Sequence, residues 1–158
     1  MEFNTNIFNQ FDKKWALLTA GDKESYNTMT ISWGGLGTLW NKSVATVYVR
    51  TSRLTHEFMD KNEYFSISFY PEQYRKVLGI LGSKSGRDMD KMHASGLTAK
   101  KIGDTISFEE AETTIICRKL FKQQLEVSNI PEDVVTNLYI DQAPHDMYIG
   151  EVIAILNN

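Results

Sequence analysis

Apolar and polar side chains alternate most clearly in two segments of the chain, residues 44–50 and 64–70. The first segment divides its side chains between two faces, with Val44, Thr46, Tyr48 and Arg50 on one and Ala45, Val47 and Val49 on the other. The second places Phe65, Ile67 and Phe69 on a single face. A period of two is typical of a β-strand, so both segments are predicted to be strands.

Hydroxylated residues and glycines follow one another just before the first of these segments. Residues 30–33 read Thr-Ile-Ser-Trp, and β-branched and aromatic residues of this kind favour a strand. Gly34, Gly35 and Gly37 come next, and this density of glycine predicts a tight loop that ends the strand.

Short helices are predicted between the strands, at residues 55–62, 71–82, 88–95 and 131–138. Thr55 is expected to cap the first helix, and Phe58 is expected to face the core. Pro71 stands at a helix start, where proline is best tolerated. Gly96 is expected to end the third helix.

Further strands are predicted in the C-terminal half. Two lie within residues 106–127, the second centred on the run TIICRKLF, after a polar stretch with a turn at Gly103-Asp104. The last is predicted at residues 147–156, with a bulge or bend at Gly150. Strands dominate, and the helices are too few for a repeating βαβ pattern. The pattern therefore favours an antiparallel barrel or sandwich with helices at its ends.

The composition is that of an ordinary globular chain. Its 158 residues are 42% hydrophobic and 23% charged, which argues against disorder and predicts a single domain over residues 1–158. The net charge of −3 argues against nonspecific nucleic-acid binding, which rests on neutralising phosphates. A local basic pocket can still hold a small anion.

Several kinds of site and location are disfavoured. Cys117 is the only cysteine, which excludes an intramolecular disulfide and a zinc site with several thiolates, and its apolar strand predicts an inert buried thiol. His56, His93 and His145 lack the paired spacing of metal ligands. No apolar run approaches the ~20 residues of a membrane span, and the N-terminus does not read as a signal peptide. A cytoplasmic protein without membrane contact is expected.

The segment Asn27-Thr28-Met29-Thr30-Ile31-Ser32-Trp33 is the first candidate site. Small hydroxylated residues beside glycines let the backbone approach a flat ligand, and backbone N–H groups could bond its ring carbonyls or nitrogens. The alternative is a plain strand with solvated threonines.

The segment Arg50-Thr51-Ser52-Arg53-Leu54-Thr55 is the second candidate. It joins a predicted strand to a predicted helix, and two guanidinium groups beside a helix N-terminus suit a phosphate. The alternative is a helix cap with two surface arginines. The loop Ser83-Lys84-Ser85-Gly86-Arg87-Asp88 resembles this arrangement more weakly, lacks the spacing of a P-loop, and also fits a solvated surface.

Four segments in order resemble the flavin reductase-like family of FMN-binding split β-barrel proteins. They are NTMTISWG at 27–34, RTSRLTHEF at 50–58, SGRDMDK at 85–91 with HASGLT at 93–98, and HDMYIGEV at 145–152. The resemblance extends over about residues 15–152. It implies an antiparallel split β-barrel, FMN as cofactor, and a homodimer with flavin sites near the subunit interface.

The resemblance also implies roles for individual residues. The isoalloxazine and ribityl side would be lined by Asn27, Thr28, Met29, Thr30, Ser32 and Trp33. The phosphate would be held by Arg50, Ser52, Arg53 and Thr55. Further phosphate or ribityl contacts, from the same or the neighbouring subunit, would come from Lys84, Ser85 and Arg87. His145 matches a catalytic-site histidine of the family near the nicotinamide, but Ala143-Pro144 replaces the family's Gly-Asp before it.

Two functions from different classes follow from this resemblance. The first is an FMN-dependent oxidoreductase that passes electrons from NAD(P)H through bound FMN to flavin or another acceptor. The second is an FMN-binding electron carrier or storage protein without a nicotinamide site, which the Ala143-Pro144 difference favours slightly. A barrel that binds no flavin is a third interpretation. The electron acceptor is not indicated by the sequence.

Overall fold

The computed structural model describes residues 1–87 and 90–158. The strands within these residues are β1 Ala16–Gly21, β2 Tyr26–Ile31, β3 Gly34–Leu39, β4 Lys42–Arg50, β5 Tyr64–Phe69, β6 Ala99–Ile102, β7 Thr105–Phe108, β8 Thr113–Gln124 and β9 His145–Asn157. The helices are α1 Ile7–Asp12, α2 Leu54–Lys61, α3 Arg75–Ser83, α4 Lys91–Ser95 and α5 Glu132–Leu138, with 3₁₀ turns at Glu72–Tyr74 and Val127–Asn129. The predicted strands at β4, β5, β8 and β9 and the predicted helices at α2, α3 and α5 are confirmed.

Seven strands form one sheet in the order β2-β1-β5-β8-β9-β4-β3, and β6 pairs with β7 in a separate hairpin. All pairs of neighbouring strands in both sheets are antiparallel. The prediction of a mainly antiparallel β fold with short helices is therefore confirmed. β9 lies between β8 and β4, so the C-terminal strand joins the two halves of the large sheet.

Strand β5 is buried on both faces. Phe65 and Phe69 pack into the main core beside residues of β1, β4 and β9. On the other face, Ser66 donates a hydrogen bond to the Ile106 carbonyl oxygen at 2.5 Å. A second apolar cluster, built around Leu17 and Phe108, lies on this side. The β6–β7 hairpin therefore covers the second face of β5, which carries Ser66 and Ser68 between the apolar positions.

The glycine segment is a strand, and its prediction as a tight loop is wrong. Gly34 pairs with Val47 and Gly37 with Val44, so the segment forms β3 against β4. A Cβ on Gly34 would lie 2.9 Å from the Phe11 ring, so this position needs glycine for close packing rather than for a turn. The strand predicted at residues 30–33 correspondingly ends earlier, as β2 at Ile31.

Two other expectations need correction near the helices. Thr55 does not cap α2, because the N-cap residue is Arg53, whose side chain makes no capping hydrogen bond. Thr55 is buried one position inside the helix and accepts a hydrogen bond from the Asn27 amide at 2.7 Å. Gly96 ends α4 with φ of 69°, as predicted, while Asp88 and Met89 of that predicted helix lie outside the described residues.

Gly150 on β9 lies against the core with no room for a side chain. A Cβ there would lie 2.7 Å from the Phe65 ring and 2.9 Å from the Cys117 Cβ. Lys119 of β8 pairs with Gly150, and the next pair is Phe121 with Ile149, so the extra residue lies in β8. The bulge or bend predicted at Gly150 is therefore found in the strand opposite to it.

Gly150→Ala is expected to lower the free energy of unfolding by about 1–3 kcal/mol, because it overpacks this core. Gly37→Ala is the matched control, since a Cβ on Gly37 meets nothing within 4 Å. Urea unfolding of both variants checks the prediction. A Gly150→Ala protein as stable as the Gly37→Ala protein would contradict it.

Candidate functional site

A cavity of about 210 Å³ lies where β2 and β4 end and α2 begins. It brings together several of the predicted site residues, namely Met29, Thr30, Ser32, Trp33, Arg50, Arg53 and His145. The remaining lining residues are Ile31, which lies within the first candidate segment, and Tyr48 and Gly82, which lie in neither candidate segment. Two candidate segments that are separate in the sequence therefore share one cavity.

Strand pairing and one turn assemble the basic side of this cavity. Arg50, the last residue of β4, pairs directly with His145, the first residue of β9. The backbone then turns, with the Arg53 N–H donating to the Arg50 carbonyl oxygen at 3.0 Å, and α2 begins immediately afterwards. Two guanidinium groups, an imidazole and a helix N-terminus thus lie at one point of the fold.

Both arginines are held by backbone carbonyl groups. Arg50 donates to the Ala143 oxygen at 2.7 Å and to the Leu138 oxygen at 3.1 Å. Arg53 donates to the Gly82 oxygen at 3.0 Å, at the end of α3. Carbonyl groups orient the guanidinium groups but do not neutralise their charge.

The cavity carries net positive charge. Among the described residues, no carboxylate lines it, and neither Arg50 nor Arg53 forms a salt bridge. Burial, and secondly the charge of Arg50, lower the pKa of Arg53. Two uncompensated cations beside a helix N-terminus form a site that favours an anion.

His145 is buried and uncharged at neutral pH. Its Nδ1 lies 2.8 Å from the Tyr139 hydroxyl, and the Trp33 ring lies 5.2 Å from its own ring. Burial, and secondly the charge of Arg50, lower the pKa of His145 to about 4. The cavity therefore contains a neutral imidazole rather than a third cation.

The end of β2 forms the less charged wall. Thr30 donates its hydroxyl hydrogen to the Leu78 carbonyl oxygen, which ties this wall to α3. Ser32 is partly exposed at the cavity, and Trp33 is 41% exposed. Thr28 is buried instead, where its hydroxyl bonds Thr19 at 2.8 Å. The hydroxyl groups of both threonines are therefore hydrogen-bonded within the protein, whereas the plain-strand alternative expected them to face solvent.

The other predicted site residues lie outside the cavity lining. The Asn27 amide donates to the Thr55 hydroxyl, and neither residue lines the cavity. Ser52 and Lys84 are exposed, and the Ser85 hydroxyl accepts the Arg87 N–H at 3.1 Å.

The loop after α3 nevertheless lies beside the start of α2. Arg87 forms a salt bridge with Glu57 of α2 at 2.6 Å. A Cβ on Gly86 would lie 2.7 Å from the Asn27 amide oxygen and 2.9 Å from Leu54. Asp88 of this loop is outside the described residues.

Comparison with known families identifies the chain. The family described as "Flavin reductase like domain" matches residues 8–158. The chain belongs to this flavin reductase-like family. The resemblance inferred from the four motifs is thereby confirmed. A comparison with curated proteins gives no match.

Solved structures share the fold of this flavin reductase-like chain. Flavoredoxin from Methanosarcina acetivorans has a TM-score of 0.71 and 23% identity, covering 100% of this chain and 75% of that chain. An FMN-binding protein from Thermus thermophilus, with bound p-hydroxybenzaldehyde, has a TM-score of 0.70 and 22% identity, covering 91% and 71%. The styrene monooxygenase flavin reductase from Pseudomonas putida S12 has a TM-score of 0.67 and 16% identity, covering 91% and 79%.

Tyr48 and Gly82 are the site residues that sequence reasoning missed. A signal for Tyr48 was present, because the alternation places it on the same face of β4 as Arg50. Gly82 carried no such signal, since it reaches the cavity only because α3 packs against β2, where a Cβ on Gly82 would meet Thr30 at 3.0 Å.

A wider groove adjoins the cavity of the flavin reductase-like chain. It has a volume of about 840 Å³ and runs between α1 and the start of β3. Ser32, Trp33 and Tyr48 line both spaces, so the groove and the cavity are neighbours on either side of these three residues. In the described part of the chain, no group of acidic, histidine or cysteine side chains is arranged to hold a metal ion, and no helix is long and apolar enough to cross a membrane.

The depressed pKa of His145 predicts acid sensitivity. The unfolded chain binds this proton near pH 6.5, whereas the folded chain binds it only near pH 4. Stability that is present above pH 6.5 is therefore lost as the pH falls to 4, by about 3 kcal/mol.

His145→Asn is expected to reduce this acid-induced loss, because Asn does not titrate. Urea unfolding of the parent and the variant at pH 7 and pH 5 measures the difference, and carboxylates that titrate in the same range are common to both proteins. An identical pH dependence in the two proteins would show that His145 is not held neutral.

Proposed function

We propose that the chain binds FMN in the basic cavity and passes electrons from NAD(P)H through the bound FMN to flavin or another acceptor. The observation that carries this proposal is the pair Arg50 and Arg53, which share one cavity with Trp33 and face no carboxylate among the described residues. Membership of the flavin reductase-like family supports a flavin ligand. The FMN-binding protein from Thermus thermophilus, which has this fold, supports FMN in particular.

The residues present fit a phosphorylated flavin. Arg53 and the N–H groups of Leu54 and Thr55 would hold the phosphate, because the N-cap residue Arg53 makes no side-chain capping bond that would occupy them. Arg50 would add charge, although two of its N–H groups already bond carbonyl oxygens. Thr30, Ser32 and Trp33 would lie along the ring and ribityl side.

The redox chemistry would be supplied by FMN when bound, and the chain would bind, orient and shield it. The apolar and aromatic surface around Trp33 and Tyr48 would exclude water from one side of the site. His145, held neutral beside Arg50, would contact the nicotinamide of the electron donor. This role for His145 follows the family pattern that its position at the start of β9 matches.

Reduction of the FMN-loaded protein by NADH or NADPH tests the proposal. Mixing under anaerobic conditions in a stopped-flow instrument is expected to bleach the flavin absorbance in a single phase that saturates with the nicotinamide. His145→Asn, prepared with FMN, is expected to slow this phase. Flavin that is bleached by dithionite but by neither nicotinamide would favour the alternative, an electron carrier without a nicotinamide site.

The alternative function has one observation in its favour. The family's Gly-Asp is replaced by Ala143-Pro144, and both carbonyl groups are used, by Arg50 at 2.7 Å and by the Thr51 N–H at 3.0 Å. The segment before His145 is therefore fixed to β4.

We further propose a cytoplasmic homodimer of single-domain subunits. Exposed apolar side chains on the described surface include Phe8, 84% exposed, and Trp40 and Ile140, 58% and 59% exposed. Two-fold dimers are the commonest way to cover such surface. Light scattering at micromolar concentration is expected to give twice the mass of 18.1 kDa. A mass of one chain would contradict the dimer.

A further inference from the structure

Tyr139 contacts two of the functional side chains at once. Its hydroxyl lies 2.8 Å from Nδ1 of His145, and the two rings meet edge to face at 5.6 Å. The guanidinium carbon of Arg50 lies 5.3 Å from the centre of the Tyr139 ring. Tyr139 does not line the cavity, so it can act there only through these neighbours.

The backbone around Tyr139 is fixed from both sides. Arg50 bonds the Leu138 carbonyl just before it and the Ala143 carbonyl after it. The Tyr139 N–H donates to the Val135 carbonyl oxygen at 2.9 Å and ends α5. The hydroxyl is therefore held against His145 by the main chain.

We infer that Tyr139 is a positioning residue, which donates its hydroxyl hydrogen to Nδ1 of His145 and so places the imidazole proton on Nε2. The hydrogen bond between Tyr139 and His145 is independent of the proposed function, whereas the group that His145 recognises depends on it. The inference adds to that function the chemical class of this group. A donor at Nε2 selects an acceptor, such as the carboxamide oxygen of a nicotinamide.

The chemistry of the two groups and the position of Arg50 set the direction of this hydrogen bond. A phenol is a stronger acid than a neutral imidazole N–H, so the phenol is the better donor of the pair. The guanidinium of Arg50 over the ring withdraws charge and strengthens the phenol as a donor. With Nδ1 accepting, the one proton of the neutral imidazole must lie on Nε2.

Nε2 is the imidazole atom left for a ligand. Among the described residues, the only side chain that hydrogen-bonds the His145 ring is Tyr139, through Nδ1. The nearby charged groups do not compete for Nε2. Arg50 is a cation, and its charge opposes protonation of the imidazole. The neighbouring Asp146 is bonded to His56 of α2 at 2.5 Å.

Nitrogen-15 NMR of the imidazole groups tests the inference without any flavin. The chain has three histidines, and His145→Gln identifies the signal that belongs to His145. At pH 7 the parent protein is expected to show the Nε2–H tautomer at this position. Tyr139→Phe is expected to shift it toward a mixture of tautomers and to raise the pKa of His145 by about 0.4–1 unit, because one hydrogen bond to the neutral form is lost.

Tyr64→Phe is the matched control, since Tyr64 lies on β5 and does not line the cavity. It is expected to change neither the tautomer nor the pKa, and the amide spectra of both variants show whether the fold is kept. An Nδ1–H tautomer in the parent, or a Tyr139→Phe protein with the parent tautomer and pKa, would overturn the inference. A parent with the expected tautomer that is not reduced by NADH or NADPH when loaded with FMN would overturn the proposed electron donor and leave the tautomer assignment standing.

Discussion

FMN is expected to bind this chain at least about a hundredfold more tightly than riboflavin, which lacks only the phosphate. Each charge-assisted hydrogen bond contributes about 1.5–3 kcal/mol. Two such contacts, from Arg53 and from the N-terminus of α2, amount to at least about 3 kcal/mol, or a factor of about one hundred. The absence of a carboxylate from the described lining means that the phosphate displaces no ion pair.

Titration of the apoprotein with each flavin, followed by the quenching of flavin fluorescence, measures this ratio. FMN and riboflavin share the isoalloxazine ring, so contacts with Trp33 and Thr30 cancel in the comparison. Equal affinities would mean that the basic cavity does not receive the phosphate.

Arg53→Ala is expected to weaken FMN binding by a factor of about ten or more, through loss of one charge-assisted contact of about 1.5–3 kcal/mol. Arg53→Lys is expected to restore only part of the affinity, because an ammonium group cannot reproduce the fork of a guanidinium. Arg118→Ala is the matched control. Arg118 is a partly exposed arginine that forms a salt bridge with Glu151 at 3.1 Å and does not line the cavity, so its loss removes one positive charge from elsewhere on the protein.

The competing interpretation placed both arginines on the surface. Arg53 is instead half-buried and donates to the Gly82 carbonyl oxygen, while Glu57, four residues further on, pairs with Arg87 at 2.6 Å. Arg53→Ala removes this hydrogen bond, so thermal unfolding is measured alongside FMN titration. A variant that folds and binds FMN as tightly as the parent protein would contradict the assignment of Arg53 to the phosphate.

The elements that the sequence predicted well are those with local signals. β4 and β5 alternate with a period of two, Pro71 marks the 3₁₀ turn that leads into α3, and Gly96 ends α4. β1 was missed because all six of its residues are buried, which removes the alternation. β3 was misread because glycine carries a turn signal, whereas its pairing with β4 depends on distant contacts such as that of Gly34 with Phe11.

In the candidate site, too, the residues with a local signal were predicted and those placed by distant contacts were not. Arg50 and Arg53 lie close together in sequence beside a strand end and a helix start, so the anion site carried a local signal. Thr55 was assigned to the phosphate as a cap, but it is buried against Asn27. The position of Tyr139 against His145 depends on Arg50 holding the chain after α5, and no spacing in the sequence reports such a contact.

A crystal structure of the chain with FMN shows whether the phosphate lies at Arg53. We expect phosphate density within hydrogen-bond distance of the Arg53 guanidinium and of the first N–H groups of α2, with the isoalloxazine ring on the side of Thr30 and Trp33. Flavin density elsewhere, with the cavity between Arg53 and His145 filled only by water, would contradict it.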